Sequence, residues 1–83
     1  MIDVTSEVIK VLEQVLSLGG RSSSFQRNTH LLGAIPELDS MAVATLITTL
    51  EERFGIMVDD DFDGSTFATV GSLADFVAER LPR

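Results

Sequence analysis

Ser40 has the residue type and the local setting of a modification site. It follows Asp39 in the run Glu-Leu-Asp-Ser-Met, at the head of a segment with helical apolar spacing. Aspartate is a favoured N-cap residue, so Asp39 predicts a helix that starts at Ser40. A hydroxyl in the first turn needs no packing partner and lies beside N–H groups that lack acceptors within the helix. A phosphodiester on Ser40 would therefore lie in the positive field of the helix N-terminus.

Asp39 admits two roles beside this serine. Its carboxylate can hold Mg²⁺ together with pyrophosphate oxygens while a partner enzyme transfers a group to Ser40. The alternative is that Asp39 only caps the helix and that Ser40 only fills its first turn. These residues by themselves leave both interpretations open.

A serine hydrolase is the enzyme hypothesis, with Ser40 and His30 as a catalytic dyad. Ser40 lies in Leu-Asp-Ser-Met-Ala, which lacks the flanking glycines of a nucleophile elbow. His30 is the single histidine, and a chain of 83 residues can hardly enclose a substrate and an oxyanion hole. We therefore predict that the chain is not an enzyme.

The acid cluster at residues 59–63 imitates a calcium loop. Together with Gly64 it matches Asp-x-Asp-x-Asp-Gly, the first half of an EF-hand. The twelfth position of such a loop should be a bidentate Glu, and here it is Val70. We therefore exclude an EF-hand and assign no metal ligands. A small acidic helical domain that binds protein partners or divalent cations remains the alternative function.

Apolar spacing and helix-end signals predict an all-α four-helix bundle. The predicted main helices are, in order, about residues 4–18, the segment from the Asp39 cap to Gly55, and about residues 71–81 after a Thr69 cap. Residues 19–38 show no period and predict a long loop. We expect apolar side chains to pin this loop to the core, namely Leu31, Leu32 and Ile35. Residues 64–70 predict a short fourth element that carries Phe67, either a helical turn or an irregular segment.

The second and third main helices each have a predicted core face. In the second it comprises Val43, Leu46, Ile47, Leu50 and Phe54. In the third it comprises Leu73, Phe76, Val77 and Leu81. Met41 falls roughly opposite the first of these stripes by helical geometry. A large apolar side chain on the solvent side, next to Ser40, indicates contact with a partner.

Length and composition bound the class of protein. A chain of 83 residues with 45% apolar residues makes one domain, residues 1–83, with a modest core. Cysteine is absent, so neither a disulfide nor a cysteine-ligated metal can stabilise the fold. No apolar run approaches the roughly 20 residues that span a bilayer. The start, MIDVTSE, lacks the basic region of a signal peptide, so we expect a cytoplasmic protein.

Negative charge is concentrated in the second half of the sequence. Residues 1–36 hold three acids and three bases, whereas residues 37–83 hold ten acids and three bases, which gives the net charge of −7. Such a surface repels nucleic acid and anionic membranes and attracts basic partners. No large exposed apolar stripe is visible, so we expect a monomer.

The ordered motifs resemble the acyl carrier protein family over about residues 2–81. The sequence has Leu-Asp-Ser-Met at 38–41, Glu-Glu-Arg-Phe-Gly-Ile at 51–56, an acid-rich loop and then Thr69-Val70. The family usually has Asp-Ser-Leu, a helix that ends in Leu-Glu-x-x-Phe-Gly-Ile, and a Thr-Val entry to the last helix. The run Pro-Glu-Leu-Asp-Ser-Met-Ala-Val looks most like free-standing carriers of bacterial exosortase and exopolysaccharide gene clusters.

The resemblance implies that Ser40 carries 4′-phosphopantetheine, which a phosphopantetheinyl transferase takes from coenzyme A with Mg²⁺ held at Asp39. The thiol of that arm would bear acyl groups as thioesters for acyl-loading and acyl-transferring enzymes of lipid, fatty acid, polyketide or exopolysaccharide-linked biosynthesis. The chain itself would need no cysteine. The side chains expected to line an acyl cleft, or else to form plain core, are Val43, Ile47, Ile56, Val58 and Phe67. The side chains expected to contact partners are Glu37, Met41, Glu51 and Glu52.

Two departures from the family pattern concern partner recognition. Met41 replaces the commoner Leu after the serine, which conserves volume and apolar character. In the acyl carrier protein family that this chain resembles, bacterial fatty-acid carriers usually have acids where this chain has Ala42 and Thr45, and another acid is common at Arg53. The missing acids favour a specialised carrier with dedicated partners.

Overall fold

The fold is all-helical, as the apolar spacing predicts. The computed structural model describes residues 3–35, 38–58 and 64–81. Its α-helices are α1 (Val4–Leu16), α2 (Ser40–Phe54) and α3 (Val70–Arg80), and a 3₁₀ turn covers Arg21–Ser24. Within the described residues there is no β-strand, and an isolated antiparallel bridge joins His30 to Thr69.

The fourth short helix is not found where the sequence predicts it. Residues 64–67 form hydrogen-bonded turns, and Ala68 N donates to the Ser65 carbonyl at 3.3 Å. The extra helical turn of the described chain lies instead at Arg21–Ser24, inside the predicted loop. Residues 59–63, which hold the acid cluster, lie outside the described residues.

Each α-helix begins at a side-chain cap. Asp3 Oδ1 accepts a hydrogen bond from Ser6 N at 3.3 Å, and Asp39 Oδ1 accepts one from Ala42 N at 2.8 Å. At α3, Thr69 and Ser72 form a reciprocal capping box. These caps satisfy N–H groups that have no acceptor within the helix.

Two of the three helix ends differ slightly from the predicted bounds. α1 ends at Leu16 rather than near residue 18, because Ser17 adopts a left-handed conformation with φ 53°. Leu18 is still buried, since the chain turns back toward the core. α3 starts one residue earlier than predicted and ends at Arg80. α2 ends at Phe54 and is followed, as predicted, by the capping Gly55 with φ 65°.

One apolar core joins the three helices, and α1 packs against both α2 and α3. The largest fully buried side chains are Leu12, Leu31, Leu46, Leu50, Leu73, Val8, Val11, Val70 and Val77. The predicted core face of α3 is partly wrong, since Phe76 is only half-buried and lies outside the core. The Arg80 guanidinium covers its ring at 3.6 Å from the centroid, and α3 turns Val70 and Ala74 into the core instead.

The long loop is fastened to the segment before α3 by backbone hydrogen bonds. Leu31 N donates to the Ala68 carbonyl at 2.9 Å, and Leu32 N donates to the Phe67 carbonyl at 3.0 Å. Leu31 is fully buried, and Ile35 packs partly against the core. Leu32, expected to be buried with them, is 48% exposed. We call the paired residues 31–32 and 67–68 the loop strap.

Candidate functional site

Ser40 is the first residue of α2. It is exposed, and its hydroxyl makes no hydrogen bond within the described part of the chain. The preceding Asp39 holds the end of the helix, because its Oδ1 accepts from Ala42 N and its carbonyl accepts from Val43 N at 2.9 Å. The second carboxylate oxygen of Asp39 has no hydrogen-bond donor in the described chain. The site therefore offers a free hydroxyl beside a half-occupied carboxylate.

An apolar cleft of about 400 Å³ opens beside Ser40. Its lining residues are Leu32, Leu38, Asp39, Ser40, Val43, Gly64 and Phe67. Small-molecule sites in proteins commonly have volumes of roughly 300–1,000 Å³. The cleft is thus large enough for a flexible apolar chain that is tethered at its mouth.

Two of the five predicted cleft residues line the cleft, and the other three belong to the core or pack against it. Val43 and Phe67 line the cleft beside Ser40. Ile56 is 5% exposed and belongs to the buried core, whereas Ile47 and Val58 are half-buried and pack against that core. None of these last three is among the lining residues of the cleft.

Sequence reasoning missed three residues that line the cleft. Leu38 and Leu32 come from the long loop, and Gly64 comes from the turn before α3. Only Leu38 carried a usable signal, because an apolar residue directly before an N-cap commonly packs against the helix it introduces. Neither the apolar spacing nor any motif predicts Leu32 and Gly64, since only tertiary structure brings their two loops together.

The predicted partner-binding residues have unequal settings. Met41 is 80% exposed, and Glu52 is exposed without a partner in the described chain. Glu51 is half-buried, and its Oε2 accepts a hydrogen bond from Val58 N at 3.0 Å. That contact fixes the chain just after α2. Glu37 lies outside the described residues.

Arg53 does not project freely from α2. Its Nε and Nη2 donate to Glu7 Oε1 of α1 at 3.2 and 2.9 Å. These hydrogen bonds, with a further one from Lys10, hold the pKa of Glu7 below its ordinary value of about 4.5. The basic residue that departs from the family pattern therefore joins two helices, and α2 has no charged residue from Ser40 to Leu50.

The alternative sites have little support in the described chain. His30 is exposed and lies on the bridge to Thr69, and no residue that lines the cleft beside Ser40 is a histidine. No cluster of three or more metal-ligating side chains occurs among residues 3–35, 38–58 and 64–81. In the same ranges, no helix has the length and apolar character needed to cross a bilayer.

Known proteins resemble this chain over nearly its whole length. Residues 6–77 match the family described as phosphopantetheine attachment site. The solution structure of a holo acyl carrier protein from Nitrosomonas europaea is similar to this fold, with a TM-score of 0.87 and 47% sequence identity. The match covers 94% of this chain and 95% of that one. None of the curated proteins matches the chain.

The residues around Ser40 fit a tethered prosthetic group. The Ser40 hydroxyl is accessible at a helix N-terminus, and the adjoining apolar cleft can receive a chain attached there. The chain belongs to the family defined by the phosphopantetheine attachment site and, within it, to the acyl carrier proteins, which use a 4′-phosphopantetheine group and are not enzymes.

Proposed function

We propose that Ser40 is the attachment residue for 4′-phosphopantetheine. The observation that carries this proposal is the free, exposed Ser40 hydroxyl at the start of α2, at the mouth of the apolar cleft. When attached, the group supplies a terminal thiol that holds acyl groups as thioesters. During the transfer, a bond forms between Ser40 Oγ and the phosphorus of the arm. The bond from that phosphorus to the nucleotide part of coenzyme A breaks, and the Oγ proton passes to a base of the transferase.

Asp39 serves this transfer with the carboxylate oxygen that the helix cap leaves free. Its Oδ1 is occupied by Ala42 N at 2.8 Å, so Oδ2 is the atom available to Mg²⁺. A cation at that oxygen would also contact the pyrophosphate of coenzyme A and offset its charge. We therefore assign Asp39 two functions, helix capping and cation binding, that different variants can separate.

The acyl chain lies in the cleft and along the apolar residues behind it. Val43 and Phe67 contact it first, since both line the cleft beside Ser40. Ile47 and Val58 are half-buried next to the core, and Ile56 is buried within it. In this proposal, those three residues contact only acyl chains that displace core packing.

Partner enzymes approach over the exposed start of α2. A phosphopantetheinyl transferase must cover Ser40, and Met41 beside it is 80% exposed. We assign further partner contacts to Glu37, Glu51 and Glu52, and we expect Glu52 to contribute most, because Val58 N occupies one oxygen of Glu51. The same surface contacts the enzymes that load and remove acyl groups. Nucleic acid is not a partner of so acidic a chain.

The biological setting that we propose is acyl transfer in lipid, polyketide or exopolysaccharide-linked biosynthesis. The resemblance of residues 36–43 to carriers of exosortase and exopolysaccharide gene clusters supports the last of these over general fatty acid biosynthesis. The uncharged stretch of α2 supports dedicated partners rather than partners that recognise an acidic helix. We propose a single acyl-carrier domain, residues 1–83, that acts as a monomer in the cytoplasm.

The test is the intact mass after incubation with coenzyme A, Mg²⁺ and a broad-specificity phosphopantetheinyl transferase. The natural chain should gain one phosphopantetheine, and Ser40→Ala should gain none. Ser23→Ala is the matched control, because Ser23 is also exposed and its hydroxyl makes no hydrogen bond in the described chain. Gain on Ser40→Ala, or equal loss in both variants, would contradict the assignment.

A further inference from the structure

The two walls of the cleft differ in construction. One wall consists of Ser40 and Val43 at the start of α2 together with Leu38, which directly precedes the Asp39 cap. The opposite wall is the loop strap, in which Leu32 N donates to the Phe67 carbonyl at 3.0 Å. Phe67 is 3% exposed and closes the cleft on its inner side, whereas Leu32 is 48% exposed and forms the outer rim.

Gly64 completes this rim opposite Leu32. A Cβ atom at Gly64 would lie 3.8 Å from Leu32 Cδ2, an ordinary van der Waals contact across the rim. A side chain at residue 64 would therefore occupy space in the cleft without a clash with the backbone. Any added carbon takes volume from a tethered chain that reaches the same place.

At the other five glycines, the backbone or a close neighbour explains why the residue is glycine, and among the described residues neither explanation applies at Gly64. Four of them have a positive φ, where a side chain is strained: Gly19, Gly20, Gly33 and Gly55. At Gly71 a Cβ would lie 2.9 Å from the Arg27 carbonyl oxygen. Gly64 does not have a positive φ, and among the described residues the nearest atom to its Cβ position is Leu32 Cδ2 at 3.8 Å. The cleft therefore offers a reason for glycine at this position that the described backbone does not.

We propose that Gly64 sets the length of the straight acyl chain that this carrier shelters, with Leu32 as the facing rim. The inference rests on the proposed function, in which the acyl group is tethered at Ser40. Each methylene that enters the cleft should raise the folding equilibrium constant of the loaded protein roughly fourfold. The gain should stop once the cleft of about 400 Å³ is full. A methyl group at residue 64 takes the space of one methylene of the acyl chain. In Gly64→Ala, the stabilisation should therefore stop increasing at an acyl chain one carbon shorter than in the natural protein.

The experiment loads the full chain with acyl-phosphopantetheine from straight-chain acyl-coenzyme A donors that lengthen one carbon at a time from acetyl. Intact mass first verifies loading, and thermal unfolding is then measured for each product relative to the same variant without cargo. The melting temperature of the natural chain should rise by about 3–6 °C per methylene of the acyl chain until it reaches a plateau. Gly64→Ala should reach its plateau about one carbon earlier, and Gly64→Val about three carbons earlier. The control is Ala44→Val, on the exposed side of α2. It adds two carbons, as many as separate Gly64→Val from Gly64→Ala, and should leave the plateau unchanged.

The outcomes separate the two levels of the proposal. Normal loading with the same plateau in the natural chain and both Gly64 variants overturns the role of Gly64. Normal loading with no dependence on chain length in the natural chain overturns it as well. Failure of the natural chain to load overturns the proposed function, and this inference with it. An earlier plateau in Gly64→Ala and a still earlier one in Gly64→Val, with no shift in Ala44→Val, supports it.

Discussion

Replacing Asp39 should separate its capping of α2 from its proposed function in transfer. The carboxylate caps α2 through Oδ1, which accepts from Ala42 N at 2.8 Å, and leaves Oδ2 free. Asn retains a side-chain oxygen that can accept this hydrogen bond but removes the charge, whereas Ala removes both. Loss of the cap in Asp39→Ala should cost about 0.5–2 kcal/mol of stability. In a domain of this size, each 1 kcal/mol corresponds to roughly 4–8 °C in the melting temperature.

Asp39→Asn should lose less, because only the attraction between the carboxylate and the helix dipole disappears, about 0.3–1 kcal/mol. Its transfer rate should nevertheless fall at least about tenfold at limiting Mg²⁺, since loss of even 1.4 kcal/mol of transition-state stabilisation has that effect. Thermal unfolding and the initial rate of mass gain with coenzyme A measure the two functions on the same samples.

The matched controls are Asp3→Asn and Asp3→Ala, which alter the corresponding cap of α1, where Oδ1 accepts from Ser6 N at 3.3 Å. Asp3→Ala should lower the melting temperature and leave the transfer rate unchanged. A normal transfer rate in Asp39→Asn at all Mg²⁺ concentrations would refute the cation function. An unchanged melting temperature in Asp39→Ala would refute the capping account.

Three further predictions concern residues other than Ser40 and Asp39. Gly71→Ala should destabilise the fold by roughly 1–3 kcal/mol, because its Cβ would lie 2.9 Å from the Arg27 carbonyl oxygen. Urea unfolding measures this loss, and an unchanged free energy of unfolding would contradict the prediction. Hydrogen bonds from Arg53 and Lys10 lower the pKa of Glu7, so the stability they give is complete above about pH 4.5 and is lost as the pH falls through the lowered pKa. The stability difference between the natural chain and Glu7→Gln should therefore shrink on acidification, and a difference constant from neutral to acid pH would exclude the mechanism. Met41→Ser should change the free energy of unfolding by less than about 0.5 kcal/mol but raise the KM of the transferase, and an unaltered KM would remove Met41 from the partner surface.

The sequence was most informative where a local signal decides the structure. Asp39 and Gly55 bound α2 as predicted, because an N-cap carboxylate and a left-handed glycine act within one turn of the helix. Met41 lies on the solvent side for the same reason, since helical periodicity fixes its direction once α2 is placed. The position of Ser40 at the head of α2 was therefore predictable without tertiary information.

The cleft was less predictable, because its walls come from distant segments. Leu32 appeared to be one more apolar residue that pins a loop, but its backbone bond to Phe67 places its side chain at the rim. Gly64 carries no apolar signal at all. Ile56 was expected either to line the cleft or to form plain core, and the structure buries it in the core. Apolar spacing indicates that a side chain is covered, but it does not distinguish a packed core from a cavity wall.

The most direct test of the central claim is peptide mapping by tandem mass spectrometry of the chain after coenzyme A transfer. Fragment ions should place the added phosphopantetheine on Ser40, with no modified fragment at any other serine or threonine. The same arm found on a different hydroxyl would contradict the assignment, and so would an unmodified Ser40 peptide in protein whose intact mass has increased.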